Sequence, residues 1–475
     1  MRKCEMSHPD CDNCPRLKRL EAENSKLRAA LEKSNRAGKR QAAPFSKGKP
    51  KAAPKRPGRK SGKGYGKRAS RSIPKHVDEV LDAPLPARCP HCSGGHLVEE
   101  RVADQYQEDI PPVRPITRRF RVHVGRCEGC GRRVQGRHPL QTSDALGAAS
   151  VQIGPDAVAL AAHMNKELGL TYGKIRTFFR TAFSFTLGRA TPCRANMRLA
   201  EKARPTFRAM VLAVRHALVV YADETGWRIS GLHAWLWAFV TEHVTVYVVR
   251  RSRGFGVIEE ILTAEYSGTL GRDGWSPYRK LLECVHQSCL GHFLVRVRDM
   301  LDVAVAGQAR YPLAVRRVLK AALALRDRRE DMSSHGFAVA RGRIDSRADR
   351  LLEGRLTHKP NLRLQKHLAR ERKALFPFLR DPEVEATNWR GEQAMRPAVV
   401  NRKTSGGNRS EKGADAQGIL TSVFRTARQQ GREPVALMVK LLHSSRSIDL
   451  GLARGPRGRP RLAALPRGQP TLAAA

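Results

Sequence analysis

Three apolar runs in quick succession limit what this chain can fold into. Leu218-Val-Val-Tyr-Ala-Asp223-Glu224-Thr225, Ala234-Trp-Leu-Trp-Ala-Phe-Val240 and Val244-Thr-Val-Tyr-Val-Val249 are short and rich in β-branched and aromatic residues, with Thr241-Glu-His243 joining the last two. The spacing predicts three strands in an antiparallel meander. Phe255 to Thr263 then reads as a helix, Gly268-Thr-Leu-Gly-Arg-Asp273-Gly274 as a strand ending in an acid, and Ser276 to Glu283 as another helix. The expected core is α/β, with Asp223 and Asp273 at the C-terminal ends of strands.

Carboxylates converging from rigid strand ends suit two-metal phosphoryl transfer, in which a pair of Mg²⁺ ions about 4 Å apart serves the attacking and leaving oxygens. An Asp in the same place also caps helices in many α/β folds. From spacing alone both readings stay open.

Charge narrows the choice of partner. The 475 residues carry 88 Lys+Arg against 44 Asp+Glu, so 88 − 44 leaves +44. That excess is unlike an ordinary metabolic enzyme and calls for a polyanion, nucleic acid first and an anionic membrane surface second. Between Lys33 and Lys75 there are 16 Lys or Arg and no acid, with five prolines and several glycines, so 36–76 is expected to be a basic, disordered linker. A basic tail is expected over 450–475. The start, Met1-Arg2-Lys3-Cys4-Glu5, leads into no apolar segment, and Ala234 to Val249 is too short to span a bilayer as a helix. A cytoplasmic, nucleoid-associated protein with no membrane partner is the expectation.

Ten cysteines in a reducing compartment point to metal binding. Cys89-Pro-His-Cys92 and Cys127-Glu-Gly-Cys130-Gly131 flank strand-like stretches at Gln105 to Ile110 and Arg118 to Val124, as in a zinc ribbon spanning 77–140. Cys89, Cys92, Cys127 and Cys130 would close a tetrahedral, structural Zn²⁺ site. Cys4, His8, Cys11 and Cys14 are spaced less regularly and read either as a second metal site or as unpaired thiols. Leu17, Leu20, Asn24, Leu27 and Leu31 fall on heptad a and d positions, so 1–35 is expected to hold a short dimerising coiled coil. A single amphipathic helix is the alternative. Over 150–215, Leu170 to Phe179, a break near Thr186-Leu-Gly188 and Thr191 to Ala203 have a helix-turn-helix outline, which suits DNA reading or simply a helical core holding Ile175, Phe178 and Phe179.

Several motifs together resemble a known family. Ala222-Asp-Glu-Thr-Gly-Trp227, Arg272-Asp-Gly-Trp-Ser-Pro-Tyr278, Cys289-Leu-Gly-His292 and Asn388-Trp-Arg-Gly-Glu392-Gln-Ala-Met-Arg-Pro397 follow the heptads, basic linker and cysteine knuckles in order. Over roughly residues 10 to 445 the chain resembles the insertion sequence 66 family of bacterial DDE transposases. The resemblance implies a ribonuclease-H-like catalytic core over 216–430, with Asp223, Asp273 and Glu392 binding catalytic Mg²⁺ or Mn²⁺. The 118 residues between Asp273 and Glu392 read as largely helical and exceed what such a core needs, so a helical insertion is expected at about 294–380. Gln393 stands where the family commonly has Arg, and Leu290 where it commonly has Trp. Cys289 and His292 read as packing and substrate-positioning residues rather than zinc ligands, because no second pair follows nearby.

The implied activity is metal-dependent cleavage and strand transfer of DNA. Its partners would be double-stranded element ends and target, a second copy or higher oligomer, and small accessory proteins of the same element. A non-catalytic or degenerate DNA-binding protein and a ribonuclease-H-like nuclease are the alternatives.

Overall fold

The computed structural model describes residues 15–38, 72–95, 97–444, 448 and 450–451. Cys4, His8, Cys11 and Cys14, the bulk of the basic linker and nearly all of the basic tail lie outside the described residues. The chain divides into two units, one of Met1–Ser46, Thr117–Arg180 and Thr186–Ala475, the other of Lys47–Ile116 and Thr181–Phe185.

In the second unit, the described residues between 72 and 116 form no helix or strand. Gln105 to Ile110, expected as a strand, is irregular. In the first unit only the end of Arg118 to Val124 pairs. Strand β1 (Val124–Arg126) lies antiparallel to β2 (Arg133–Gln135), with Arg126 opposite Arg133, so the ladder is nucleated by the tight turn at Cys127–Cys130 and extends no further.

The first unit holds a mixed α/β core. Helices α2 (Pro155–Lys166), α3 (Tyr172–Phe183) and α4 (Thr191–Arg215) lead into β3 (Val219–Ile229), β4 (Leu232–Val240), β5 (Thr245–Arg250), α5 (Phe255–Leu262), β6 (Thr269–Arg272) and β7 (Val285–Ser288). The sheet order is β5-β4-β3-β6-β7, antiparallel between β5, β4 and β3 and parallel between β3, β6 and β7. The meander is as expected. The expected helix over Ser276 to Glu283 is only a 3-10 turn at Ser276–Lys280, and the strand β7 that follows it at Val285–Ser288 is not among the expected strands. The turn has to drive Tyr278 into the core and reverse toward the sheet, and Val285-His-Gln-Ser288 is too short and polar to show a strand period.

Side-chain alternation assigns the two faces. Val220 and Ala222, Trp237 and Phe239, and Val246 and Val248 pack with α2, α4, α5, α11 (Glu411–Gln429) and α12 (Pro434–His443). Tyr221, Leu236, Ala238, Tyr247 and Val249 meet Ala394, Met395 and Ala398 of α10 (Trp389–Ser405). Helices α6 (Leu290–Leu301), α7 (Arg310–Asp327), α8 (Ser334–Glu353) and α9 (Lys359–Glu371) form a core of their own around Phe293, Leu319, Ile344 and Leu368. In α3, Ile175 and Phe179 are buried while Phe178 is 40% exposed, so two of the three expected core residues point inward. Helix α1 (Pro15–Gly38) leaves Leu20, Leu27 and Leu31 exposed.

Both sheet edges are occupied. Thr245 N–H donates to Thr426 Oγ1 (3.0 Å) and Tyr247 N–H to Ser422 Oγ (2.7 Å), so α11 hydroxyls take the free amides of β5. At the β7 edge, Gln287 accepts from Phe378 N–H (3.1 Å) and donates to Leu375 O (3.3 Å).

The turn after α10 clasps the end of β3. Asn408 N–H donates to Arg228 O (2.9 Å), Ser230 N–H to Asn408 O (2.9 Å), and Trp227 Nε1–H to Asn408 Oδ1 (2.7 Å). Gly407 sits at φ +112°, and a Cβ there would lie 2.3 Å from Arg228 O. Gly407→Ala is expected to destabilise the fold by about 2–3 kcal/mol, through strain and clash together, as read by chemical denaturation. Among the described residues, no helix is long and apolar enough to cross a membrane.

Candidate active site

Asp223 is not at a strand end but midway along β3, and the reason is the mixed sheet. The parallel partner β6 pairs only with Val219 to Tyr221, whereas antiparallel β4 stays paired as far as Ile229. Asp223 therefore lies just beyond the point where β3 loses one neighbour, which opens the sheet on that side. Asp273 follows the last residue of β6 directly, as expected.

Asp223 and Glu224 are adjacent, and the pleat sends them to opposite faces. Glu224 enters the larger core, where it accepts from Arg253 Nη2 (2.7 Å) and Tyr278 OH (2.5 Å), with burial as the main influence raising its pKa. Arg253 is in turn held between the indoles of Trp235 (4.4 Å) and Trp275 (3.8 Å). Glu224 is thus a satisfied structural acid. Asp223 shares the face of Tyr221, which α10 covers.

Helix α10 brings Glu392 to that face in its first turn, and Asn388 sets its starting point. The Asn388 side chain donates from Nδ2 to Ala222 O (2.8 Å), next to Asp223, and its N–H donates to Cys289 Sγ (3.2 Å). Asn388 is buried, and a Cβ at Gly391 would come within 2.8 Å of its Oδ1, so glycine leaves room for the amide. Asp273 is fixed from both ends. Its Oδ1 accepts from Trp275 N–H (2.8 Å), and its carbonyl accepts from Arg272 Nη1 (2.9 Å). Arg272 also pairs with the wholly buried Glu371 of α9 (2.5 Å), which takes a second hydrogen bond from Arg279 (3.0 Å).

Asp223 is a perturbed acid. Burial pushes Asp223 up to about 7, Glu224 adds to the rise, the Glu224 N–H donated to Asp223 Oδ1 (2.9 Å) opposes it, and Asp273 and Glu392 raise it further. His292 Nδ1 stands 3.9 Å from Glu392 Oε1. The Cys289 sulfur, and then Glu392 and Asp273, hold His292 up to about 9. Sequence motifs already contain Tyr278, Cys289, His292 and Asn388, but nothing near Glu371 signals its role, because its partner Arg272 lies 99 positions away.

The cysteine pairs sit in two turns, one in each unit. Ser93 N–H donates to Cys89 O, and Gly131 N–H to Cys127 O (2.8 Å each), with Ser93 and Gly131 both at positive φ. Cys89 is lowered by hydrogen bonds from the Cys92 and His91 amides, and Cys127 chiefly by the Cys130 amide.

Residues 150–416 match the family described as Transposase IS66 family. The chain belongs to the IS66 transposase family. The match runs from α2 into α11 and so takes in the whole five-stranded sheet, Asp223, Asp273 and Glu392. This IS66-family chain is also similar to an uncharacterized protein, y4jD, of Sinorhizobium fredii (strain NBRC 101917 / NGR234). The two are 24% identical over 413 residues, which are 78% of this chain and 77% of that one.

Proposed function

We propose that this chain is a DNA transposase that cuts the ends of its element and joins them to target DNA at a ribonuclease-H-like site made of Asp223, Asp273 and Glu392. The observation that carries the reading is the placement of the acids: Asp223 on β3 where the sheet loses its parallel neighbour, Asp273 directly after β6, and Glu392 in the first turn of the α10 helix that covers the Asp223 face. Three carboxylates suit a hard divalent cation, since an all-oxygen donor set is the one Mg²⁺ and Mn²⁺ prefer. When bound, such ions supply activation of the attacking oxygen and charge stabilisation at the leaving oxygen. The sheet order, with an antiparallel meander followed by two parallel strands, supports the ribonuclease-H-like assignment.

The chain's own residues prepare the site. Asn388 fixes where α10 starts against Ala222, which precedes Asp223, and Glu392 lies in the first turn of that helix. The Arg272–Glu371 pair holds the Asp273 backbone, and Trp275 N–H orients its carboxylate. In the first displacement, water would add to the end phosphodiester and release a 3′-OH. In the second, that 3′-OH would add to a target phosphodiester and release a target 3′-oxygen. The excess of basic residues would position phosphates, since phosphate contacts set register without reading sequence.

The same proposal extends to the parts outside the core. The pair Cys89 and Cys92 and the pair Cys127 and Cys130 would each offer two thiolates to structural Zn²⁺, because each pair already occupies a tight turn with backbone amides against its first sulfur. Leucines exposed on α1 would meet a second copy, and α3 with α4 would contact DNA.

The test is strand transfer by the purified protein with Mg²⁺ or Mn²⁺ on the terminal repeats flanking its gene, with Glu392→Gln as control. Joined product in the native protein and none in the variant supports the enzyme; end binding without cutting by both supports a DNA-binding protein instead. Metal affinity carries a second signature. Below the Asp223 value of about 7 a proton competes with the cation, so Mn²⁺ affinity measured by calorimetry is expected to weaken by up to about tenfold per pH unit and to level off above it.

A further inference from the structure

Cys289, His292 and Glu392 present a sulfur, an imidazole nitrogen and a carboxylate oxygen that all lie within 4.8 Å of one another. The first two come from the start of α6, three residues apart and hence on one side of its first turn. The third comes from the start of α10. Two hydrogen bonds lock these helix starts together, Asn388 N–H to Cys289 Sγ (3.2 Å) and Leu290 N–H to Ala386 O (3.0 Å). Cys289 lies at the buried base, 2% exposed, while the side chains of His292 and Glu392 are 53% and 51% exposed, so an ion arriving from solvent meets them first.

This donor set differs in kind from the three acids. Thiolate and imidazole favour Zn²⁺ or Co²⁺, whereas Mg²⁺ selects oxygen. Around a tetrahedral zinc, neighbouring donors stand about 3.6 Å apart. His292 and Glu392 are at 3.9 Å already. The pair that a search for a second Cys-His pair leaves incomplete is completed by a residue 100 positions further on.

We propose that Cys289, His292 and Glu392 form a Zn²⁺ site that shares Glu392 with the catalytic acids, so that zinc and the catalytic cation exclude one another. This rests on the reading of Glu392 as a catalytic ligand. Zinc is then an inhibitor that withdraws one carboxylate from the active site without blocking DNA.

The test titrates the full-length protein with Co²⁺ and follows the thiolate-to-cobalt absorption, comparing the native chain with Cys289→Ser, His292→Asn and Glu392→Gln. The cysteine turns at Cys89 and Cys127 remain intact in all three variants, so they contribute equally and cancel in the difference spectrum. His292 is half-exposed, which keeps the comparison interpretable if Cys289→Ser fails to fold. The expected result is a cobalt–thiolate band worth about one equivalent that is lost in Cys289→Ser and lost or weakened at least about tenfold in His292→Asn and Glu392→Gln. Superimposable spectra for the native chain and the variants overturn the site. In the Mg²⁺ cleavage reaction, zinc is expected to inhibit the native protein, and half-inhibition of His292→Asn to need at least about tenfold more zinc. Cobalt bound as described with cleavage indifferent to zinc overturns the shared ligand. A native protein that binds cobalt this way but cleaves with no metal defeats the proposed function and leaves the metal site standing.

Discussion

Asp223→Asn is expected to lower metal-dependent cleavage by about 10³-fold or more while making the protein more stable at pH 8. The two effects share one origin. Asp223 titrates near 7 in the fold against an ordinary value of 3.8, so the folded state favours its protonated form. Above pH 7 the ionised carboxylate weakens the metal-free fold. As pH falls through 7 toward 4 that penalty fades, and below about 4 the folded and unfolded chains are both protonated. Asparagine avoids the penalty at every pH. Because Asp223 is only partly buried, the gain is about 1–2 kcal/mol at pH 8 rather than the full value of the shift, and it should vanish near pH 4. Denaturation at both pH values, without divalent metal, checks it. A variant equally stable or weaker at pH 8 would show that the ionised Asp223 carboxylate carries no burial penalty in the fold.

Glu371→Gln is expected to destabilise the first unit by about 3–5 kcal/mol, because it strands Arg272 in the interior without its counter-charge. The thermal midpoint should drop by roughly 10 °C. Arg272 is 2% exposed, Glu371 is fully buried, and the second partner, Arg279, is 26% exposed, so water cannot replace the lost charge at Arg272. Replacing both Arg272 and Glu371 with apolar residues should recover much of the stability but not the activity, since Arg272 also holds the Asp273 carbonyl. Recovery of both would show that the pair serves stability alone. The helices between the second and third acids would then be indifferent to the position of Asp273, contrary to the geometry.

Much of the meander was legible because its strands are long, apolar and consecutive. The four helices between Asp273 and Glu392 were legible from their period. Strand β7 was not, because four half-polar residues carry no alternation and its pairing is imposed by β6. Nor does spacing decide between Asp223 and Glu224. Resemblance selects Asp223, and the pleat supplies the physical reason, turning one acid toward α10 and the other toward Arg253 and Tyr278. The Arg272–Glu371 pair and the third member of the Cys289–His292 group depend on contacts across about a hundred positions, where local sequence has nothing to say.

The occupied sheet edges bear on how such a chain behaves once DNA has neutralised it. A charge of +44 opposes indiscriminate clumping in free solution, and a polyanion that neutralised it would remove that protection. With Thr245 and Tyr247 amides of β5 already given to α11 hydroxyls and β7 held to the 376–379 segment through Gln287, strand-to-strand sticking at the edges of the five-stranded sheet is hindered. The core can remain colloidally well behaved at the one place where its own electrostatics no longer help.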